Sequence, residues 1–328
     1  MTTFKAFWVE KTDDGVQHSI IDRTIDDLPE GDVLIKVAYS SVNYKDAMSA
    51  KGIPGVTRKY PHTPGIDASG TVVSSASDAF SEGDEVIVVG FDLGMNTPGG
   101  YGEYIRVPAH WITAMPDGLS MRTSMIIGTA GLTAALCYDK LLAMGAKPED
   151  GPVVVTGATG GVGSVAVALL AQQGFDVIAS SGKKDKVDYL LGLGATQVIG
   201  RDELSTENPR PMAGADYAHG IDTVGGEILS NVIKSLSYGG SVAICGLVAS
   251  PAFNTTVLPF ILRGVNILGI DSVELPIDQK SLAWNHLATD WKIPSLEDMV
   301  QDITLDDLSA TIDKIFEGGV AGRNLVSH

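Results

Sequence analysis

The sequence predicts an α/β chain built from a doubly wound parallel sheet and a second, β-rich domain. Three observations carry that expectation. Short apolar strands alternate with amphipathic helices between residues 150 and 270. A glycine-rich turn joins the first of those strands to its helix, and turn-separated β-branched segments fill the chain before residue 115. The 328 residues suffice for two domains of ordinary size, and 44% hydrophobic against 19% charged residues can bury a core.

In the first part, segments 33–39, 71–73, 85–89 and 104–107 are strand-like, and Gly, Pro and Asp separate them at 29–32, 64–65, 82–84 and 98–100. Short strands at such intervals suggest a small barrel or sandwich. From Ser120 to Gly145 the chain is rich in Ala, Leu, Met and Ile, which suits two helices interrupted near Gly128-Thr129-Ala130-Gly131. The pattern then becomes βαβ. Strands are expected at 153–155, 177–179, 197–199, 218–222, 241–244 and 266–270, with helices at 163–173, 186–193 and 227–236 between them. The tail from Ser281 reads as helix, loop, a helix over 305–317 and a short last strand. The expected domains are 1–122 with 275–328, and 123–274.

The sharpest motif is Val153-Val154-Val155-Thr156-Gly157-Ala158-Thr159-Gly160-Gly161-Val162-Gly163. Gly160 and Gly163 take the second and third glycine places of a dinucleotide fingerprint, with Ala158 in the first. Gly160 lets the backbone approach a pyrophosphate, Gly163 lets the helix pack close, and the helix N-terminus offers N–H groups and partial positive charge. An NAD site usually places an acid at the end of the second strand. Here the residues are Ala179-Ser180-Ser181-Gly182-Lys183-Lys184, with no acid before Asp185. Ser181, Gly182 and Lys183 can offer a hydroxyl, an N–H and a charge to a 2′-phosphate, so NADP (NADPH) is the expected cofactor. In the alternative, the lysines are a solvated helix start and Asp185 binds NAD.

The formal net charge of −17 repels nucleic acid and anionic membranes. No run reaches the roughly 18 continuous apolar residues of a membrane helix, and the start lacks a secretory pattern. The expectation is a cytoplasmic protein acting on a small molecule. Cys137 and Cys245 sit in apolar runs and form no Cys-x-x-Cys, so both read as buried thiols with no redox pair.

Four further segments carry a family resemblance: Ser41-Val42-Asn43-Tyr44-Lys45-Asp46, residues 64–70, residues 125–134, and Pro259-Phe260-Ile261-Leu262-Arg263 with Gly269-Ile270-Asp271-Ser272. With the glycine loop they span most of the chain. The sequence resembles the YhdH/YhfP-type quinone oxidoreductases, the group of medium-chain dehydrogenase/reductases that includes acryloyl-CoA reductase. The resemblance implies a GroES-like catalytic domain, a Rossmann domain and a homodimer built partly through Rossmann edge strands. It also implies NADPH contacts from Tyr44, Ser181, Gly182, Lys183, Arg201, Leu247, Ile261, Ser272 and Asn324, alongside Ala158, Thr159, Gly160, Gly161, Val162 and Gly163 of the loop. Arg201 also fits a surface pairing with Asp202 or Glu203.

The wider superfamily often holds a catalytic zinc through a Gly-His-Glu segment, which here is Gly65-Ile66-Asp67. Ile66 cannot bind metal, so no metal is expected, and His62 reads as a surface histidine. Without zinc, alcohol oxidation is disfavoured, whereas an activated C=C requires less. Hydride reaches the β-carbon, a donor stabilises the enolate, and a proton reaches the α-carbon. Tyr44 is the candidate catalytic donor, or a residue that only orients the cofactor, with water as another proton source. The expected reaction is acryloyl-CoA to propanoyl-CoA. The alternative is reduction of a quinone or another enone on the same site. Lys45, Lys51, Arg58 and Lys59 form a local basic stretch that fits CoA phosphates or, more plainly, a solvated loop.

Overall fold

The computed structural model describes residues 2–328. The chain divides into two compact units. The first holds the residues up to Ala130 with Ser272–Thr289 and Leu296–His328; the second holds Gly131–Asp271 with Asp290–Ser295. The sequence placed the divisions at 122/123 and 274/275. Their positions in the fold reflect side-chain partners on either side. Thr129 hydrogen-bonds to Asp67 of the first unit. Trp291 packs edge-on to Tyr138 at 5.3 Å and the Asp290 carbonyl accepts from Gln173, both within the second unit.

The second unit is a six-stranded parallel sheet in the order Gln197–Gly200, Val177–Ser181, Val153–Thr156, Tyr217–Asp222, Leu236–Ile244, Asn266–Gly269. The chain enters at Val153–Thr156, winds outward, then returns to the other side of that strand at Tyr217–Asp222. Val153, Val154 and Val155 are fully buried, as a central strand covered on both faces requires. Ile228, Leu229, Val232 and Ile233 of the helix Gly226–Lys234 pack with Val154 and Val242. Crevices at the carboxyl ends of such strands, where the winding reverses, are where this architecture takes ligands.

The first unit is a seven-stranded mixed sheet in the order Val300–Ile303, Arg323–Ser327, Val33–Ser41, Asp67–Ser75, Glu85–Val89, Ile112–Ala114, with Tyr104–Val107 also paired to Val33–Ser41. Val33, Ile35, Val37, Val72, Val86, Val88, Ile105 and Val107 form its core. Losing one such buried branched side chain typically costs about 2–4 kcal/mol. A hairpin, Thr3–Thr12 with Gly15–Thr24, turns through Asp13 and Asp14 and joins this unit by single bridges at Ala6–Gly102 and Val9–His62. Neither the hairpin nor the Val300–Ile303 strand is marked in the sequence reading. Val300–Ile303 is four residues long and exists because it lies parallel to Arg323–Ser327, a pairing that local pattern does not encode.

The helical run Met121–Ala143 is long and apolar enough to cross a membrane, but 78% of its apolar window is buried inside the protein. It is broken at Gly128 (φ 52°, ψ −162°), where the sequence placed an interruption. The cause is tertiary. A Cβ at Gly128 would lie 2.5 Å from Asp67 Oδ2, 2.6 Å from Ser41 Oγ and 2.7 Å from an Arg323 guanidinium nitrogen. Backbone strain and a steric clash therefore coincide at this position. Gly128→Ala is expected to lower the unfolding free energy by about 2 kcal/mol or more, read by urea denaturation. An unchanged midpoint would show that the site can absorb a methyl group.

Candidate cofactor site and active-site network

The glycine loop occupies the turn between Val153–Thr156 and the helix Gly161–Gln172. It closes on itself through Gly160 N to Gly157 O at 2.9 Å and is tied to the next strand by Ala158 N to Ser180 O at 3.1 Å. At Gly163 a Cβ would come within 2.8 Å of Ala158 Cα and closer still to the Gly157 carbonyl, so only glycine lets the helix start against the turn. At Gly160 a Cβ would lie 3.3 Å from the Gly157 carbonyl oxygen, a tight approach, with no other atom within 4 Å. The first-turn N–H groups of a helix have no partner inside the helix, which is the donor chemistry a diphosphate requires. Behind the loop, buried Asp222 accepts from Thr156 Oγ1 at 2.6 Å and from Gly225 N at 2.7 Å. Burial pushes the Asp222 carboxyl up, and its hydrogen bonds, first that from Thr156, oppose the rise.

Ser181, Gly182, Lys183 and Arg201 come together at the end of Val177–Ser181. Ser181 Oγ lies 3.3 Å from Thr159 Oγ1 and accepts Lys183 N at 3.1 Å. The Arg201 guanidinium packs over Gly182. Glu203 directs its carboxylate to Gly200 N at 2.9 Å, and Asp185 pairs with Lys186 at 3.3 Å. Burial lowers the Lys183 ammonium pKa, with Asp185 opposing. Leu247 and Ile261, also in this unit, are 56% and 69% exposed.

Tyr44, Ser272 and Asn324 belong to the first unit. Tyr44 opens the helix Tyr44–Ala50 and is half-buried. Ser272 and Asn324 are buried, and the Asn324 carbonyl accepts Val42 N at 3.0 Å.

Beside Tyr44 lies a buried polar network that sequence reading did not find. Asp67 Oδ2 accepts Ser41 Oγ at 2.5 Å, Asn43 Nδ2 at 2.8 Å and Thr129 N at 2.9 Å, while Oδ1 accepts Thr129 Oγ1 at 2.5 Å. Arg323 donates to Ser41 Oγ at 2.8 Å, Asn43 Oδ1 at 3.2 Å and the Ile126 carbonyl at 2.8 Å, and stands 4.0 Å from Asp67. The Ser41 hydroxyl therefore receives from Arg323 and donates to Asp67. Asp46 accepts Asn43 N and Ile66 N, each at 2.8 Å. Arg323 is the cation that faces Asp67, while Asp46 is held by backbone N–H groups. Burial, with the Asp67 carboxylate adding to it, pushes the Asp46 pKa up to about 7. Burial also lowers the Arg323 pKa, and Asp67 opposes that fall. The available signal was Asp46 and Asp67 within the resemblance segments, but the approach of Arg323 to Asp67 is tertiary.

Three sequence expectations require correction. His62 is not a surface residue: it is 4% exposed and its Nε2 lies 2.8 Å from the Gly94 carbonyl. Its place between the bridge at Val9 and the core, not its Pro-rich neighbours, sets its burial. Nor are both thiols buried. The Cys137 thiol is buried, and its interaction with the neighbouring Cys245 thiol, followed by burial, raises its pKa. Cys245 is only half-buried, with Sγ 3.5 Å from the Asp222 carbonyl. Cys137 lies on the helix Met121–Ala143 and Cys245 just past the strand Leu236–Ile244, elements that short-range spacing leaves separate. The basic stretch is thinner than expected as well, because Lys51 pairs with Asp313.

A doubly wound dinucleotide-binding sheet with a glycine cradle, joined in one chain to a mixed β-rich unit carrying a buried polar network, defines the medium-chain dehydrogenase/reductase class of oxidoreductases. Residues 29–117 match the alcohol dehydrogenase GroES-like domain and 161–288 match the zinc-binding dehydrogenase family. Acrylyl-CoA reductase AcuI of Ruegeria pomeroyi is 43% identical over 98% of each chain. The yhdH oxidoreductase of Salmonella enterica, solved in complex with NADP, superposes with a TM-score of 0.96 at 43% identity over 99% of each chain. The yhfP protein of Bacillus subtilis, solved with NAD bound, gives 0.97 at 42% over the whole of both chains. The chain belongs to the YhdH/YhfP-type oxidoreductase family, the acryloyl-CoA reductase group of that superfamily.

A zinc ion, which the broader family description names, does not fit these residues. Ile66 offers no donor, Asp67 already accepts from Ser41, Asn43 and Thr129, and among the described residues no cluster of three or more His, Cys, Asp or Glu converges.

The raised Asp46 pKa has a consequence for stability. A carboxyl that titrates near 7 when folded and near 3.8 when unfolded retains its proton longer in the fold. Its contribution to stability is therefore present below the unfolded pKa and falls as pH rises towards about 7. Urea unfolding of the protein and of Asp46→Asn at about pH 5 and about pH 8 should show the protein's margin over the variant shrinking at the higher pH. An equal margin at both would mean that Asp46 titrates normally.

Proposed function

We propose that this protein is an NADPH-dependent reductase of activated C=C bonds, and that its substrate is acryloyl-CoA, reduced to propanoyl-CoA. The observation that carries the cofactor reading is the Ser181-Gly182-Lys183 and Arg201 cluster beside the Gly157–Gly163 turn, with Asp185 paired to Lys186. The relative crystallised with NADP supports it; the Bacillus subtilis relative was solved with NAD bound. When bound, reduced nicotinamide supplies hydride, two electrons and one hydrogen, to the β-carbon of the acceptor.

The remaining work falls to side chains of the chain. A donor must hold the thioester carbonyl oxygen as negative charge gathers on it, and a proton from solvent or from that donor completes the α-carbon. We assign the donor to Tyr44, because a neutral phenol donates a hydrogen bond without adding charge to the site. Thr156, Asp222 and Gly225 keep the glycine turn rigid from behind. Arg58 and Lys59, both exposed, are the cations suited to CoA phosphates once Lys51 is engaged by Asp313.

The test follows NADPH oxidation with acryloyl-CoA, crotonyl-CoA and a small quinone side by side, with NADH as the cofactor control. Acryloyl-CoA should be consumed most efficiently. Arg58→Ala combined with Lys59→Ala should raise its KM roughly 3- to 10-fold and leave quinone turnover unchanged. Equal effects on both substrates, or a quinone preferred throughout, would move the assignment to a quinone or enone reductase.

We further infer a homodimer. The strand Asn266–Gly269 pairs on one side only among the described residues, and Val257 and Leu262, just before it in the chain, are 65% and 59% exposed. An open strand edge beside apolar surface is a template for a second copy. Light scattering should give twice the 34.4 kDa chain mass; a monomer at micromolar concentration would refute it.

A further inference from the structure

Tyr44 does not stand alone in the first unit. Its ring lies parallel to that of Phe316, with centroids 6.0 Å apart and planes 4° apart. Phe316 is the last residue of the helix Leu308–Phe316 and is 39% exposed. An apolar ring placed at a helix end and half in water is explained neither by the core below it nor by the turn that follows. The ring it lies against is that of Tyr44.

The two helices that carry these rings are fixed against each other by three separate devices. Ala47 and Ala50 of Tyr44–Ala50 share a core with Leu308 and Ile312. The Lys51 ammonium, just past the first helix, pairs with Asp313 of the second. His18 bridges them: Nε2 lies 2.9 Å from the Ala50 carbonyl and Nδ1 3.0 Å from Ser309 Oγ. Since a carbonyl can only accept, Nε2 carries the hydrogen, and Nδ1 then accepts from Ser309. The His18 ring itself sits 5.2 Å from Phe7. With both backbones held, the remaining freedom at the stack is side-chain rotation, and each ring restricts the other. A phenol has two side-chain torsions, and a parallel neighbour on one face removes the rotamers that sweep through it.

We propose that Phe316 is a positioning residue: it holds the Tyr44 ring in the orientation in which its hydroxyl serves the reacting carbonyl. This rests on the assignment of Tyr44 as the hydrogen-bond donor. Phe316 itself touches no reacting atom in this scheme. Its effect passes through the phenol, so it should be felt in turnover and not in substrate affinity, because a donor that acts on developing charge is missed chiefly in the transition state.

The experiment is a double-substitution cycle on the intact protein, with kcat, KM for NADPH and KM for acryloyl-CoA measured for Phe316→Ala, Tyr44→Phe and the pair. Thermal unfolding is followed in parallel. Phe316→Ala should lower kcat about 3- to 10-fold, the range expected from an aromatic pair, with both KM values within about twofold of the parent. Phe316→Tyr, which keeps a ring, should restore it. In the Tyr44→Phe background the same Phe316→Ala change should have no further effect on kcat, since the hydroxyl it orients is gone. If Phe316→Ala unfolds at a markedly lower temperature, Phe316→Leu replaces it and the same cycle is read.

A loss of kcat that is equal in both backgrounds, or a rise in KM with kcat unchanged, would overturn the positioning role while leaving Tyr44 as donor. So would an unchanged Phe316→Ala enzyme beside an impaired Tyr44→Phe enzyme. Full activity of Tyr44→Phe would instead remove the donor assignment, and the role of Phe316 with it.

Discussion

The first unit depends on one buried interaction, the relay from Arg323 through Ser41 to Asp67. Arg323 begins the last strand, Ser41 ends Val33–Ser41, Asp67 begins the next strand, and Asn43 and Thr129 supply further donors from the caps of two helices. Removing a guanidinium and two carboxyls from water is costly, and only close hydrogen bonds to nearly every polar atom make the burial tolerable. The network meets that requirement: the Asp67 oxygens have four donors, and the guanidinium reaches two side chains and a carbonyl. The break at Gly128 is a consequence. The helix must give up its regular path there to place the Thr129 N–H and hydroxyl on Asp67, and no side chain fits where the path turns.

The two units divide the chemistry by kind of group. The dinucleotide unit works with backbone: a turn without side chains, a helix start, and one buried aspartate that steadies the turn. The other unit works with side chains assembled from distant segments, and Tyr44 sits at its edge, at the start of the helix that Asn43 and Asp46 cap. This helix is also clasped to Leu308–Phe316 through His18 and Lys51. The same ion pair that fixes the helices takes Lys51 out of the basic stretch.

This division explains what could be read in advance. A site made of backbone requires glycine at fixed offsets between an apolar strand and a helix, and Val153 to Gly163 satisfies that requirement locally. The strands of the second unit were legible from their short apolar runs, most plainly Val153–Thr156, which is buried at every position. The paired polar groups left weaker traces. Asp46 and Asp67 stood in conspicuous segments but gave no sign that Asp67 would face a cation from residue 323. His62, in a loop of prolines, carried no mark of burial. Cys137, on the helix Met121–Ala143, and Cys245, just past the strand Leu236–Ile244, met only in the tertiary fold.

By itself the sequence determined the doubly wound sheet, the glycine cradle, the loss of the zinc histidine at Ile66 and the family to which the chain belongs. Each of these is written in neighbouring residues, through the period of a strand or helix or the conformations only glycine allows. Tertiary structure alone decided which carboxyl shares Arg323, where the long helix breaks, which lysine is already engaged, and what lies against Tyr44. Those outcomes turn on distances of about 3 Å between atoms far apart along the chain, and no local pattern sets such a distance.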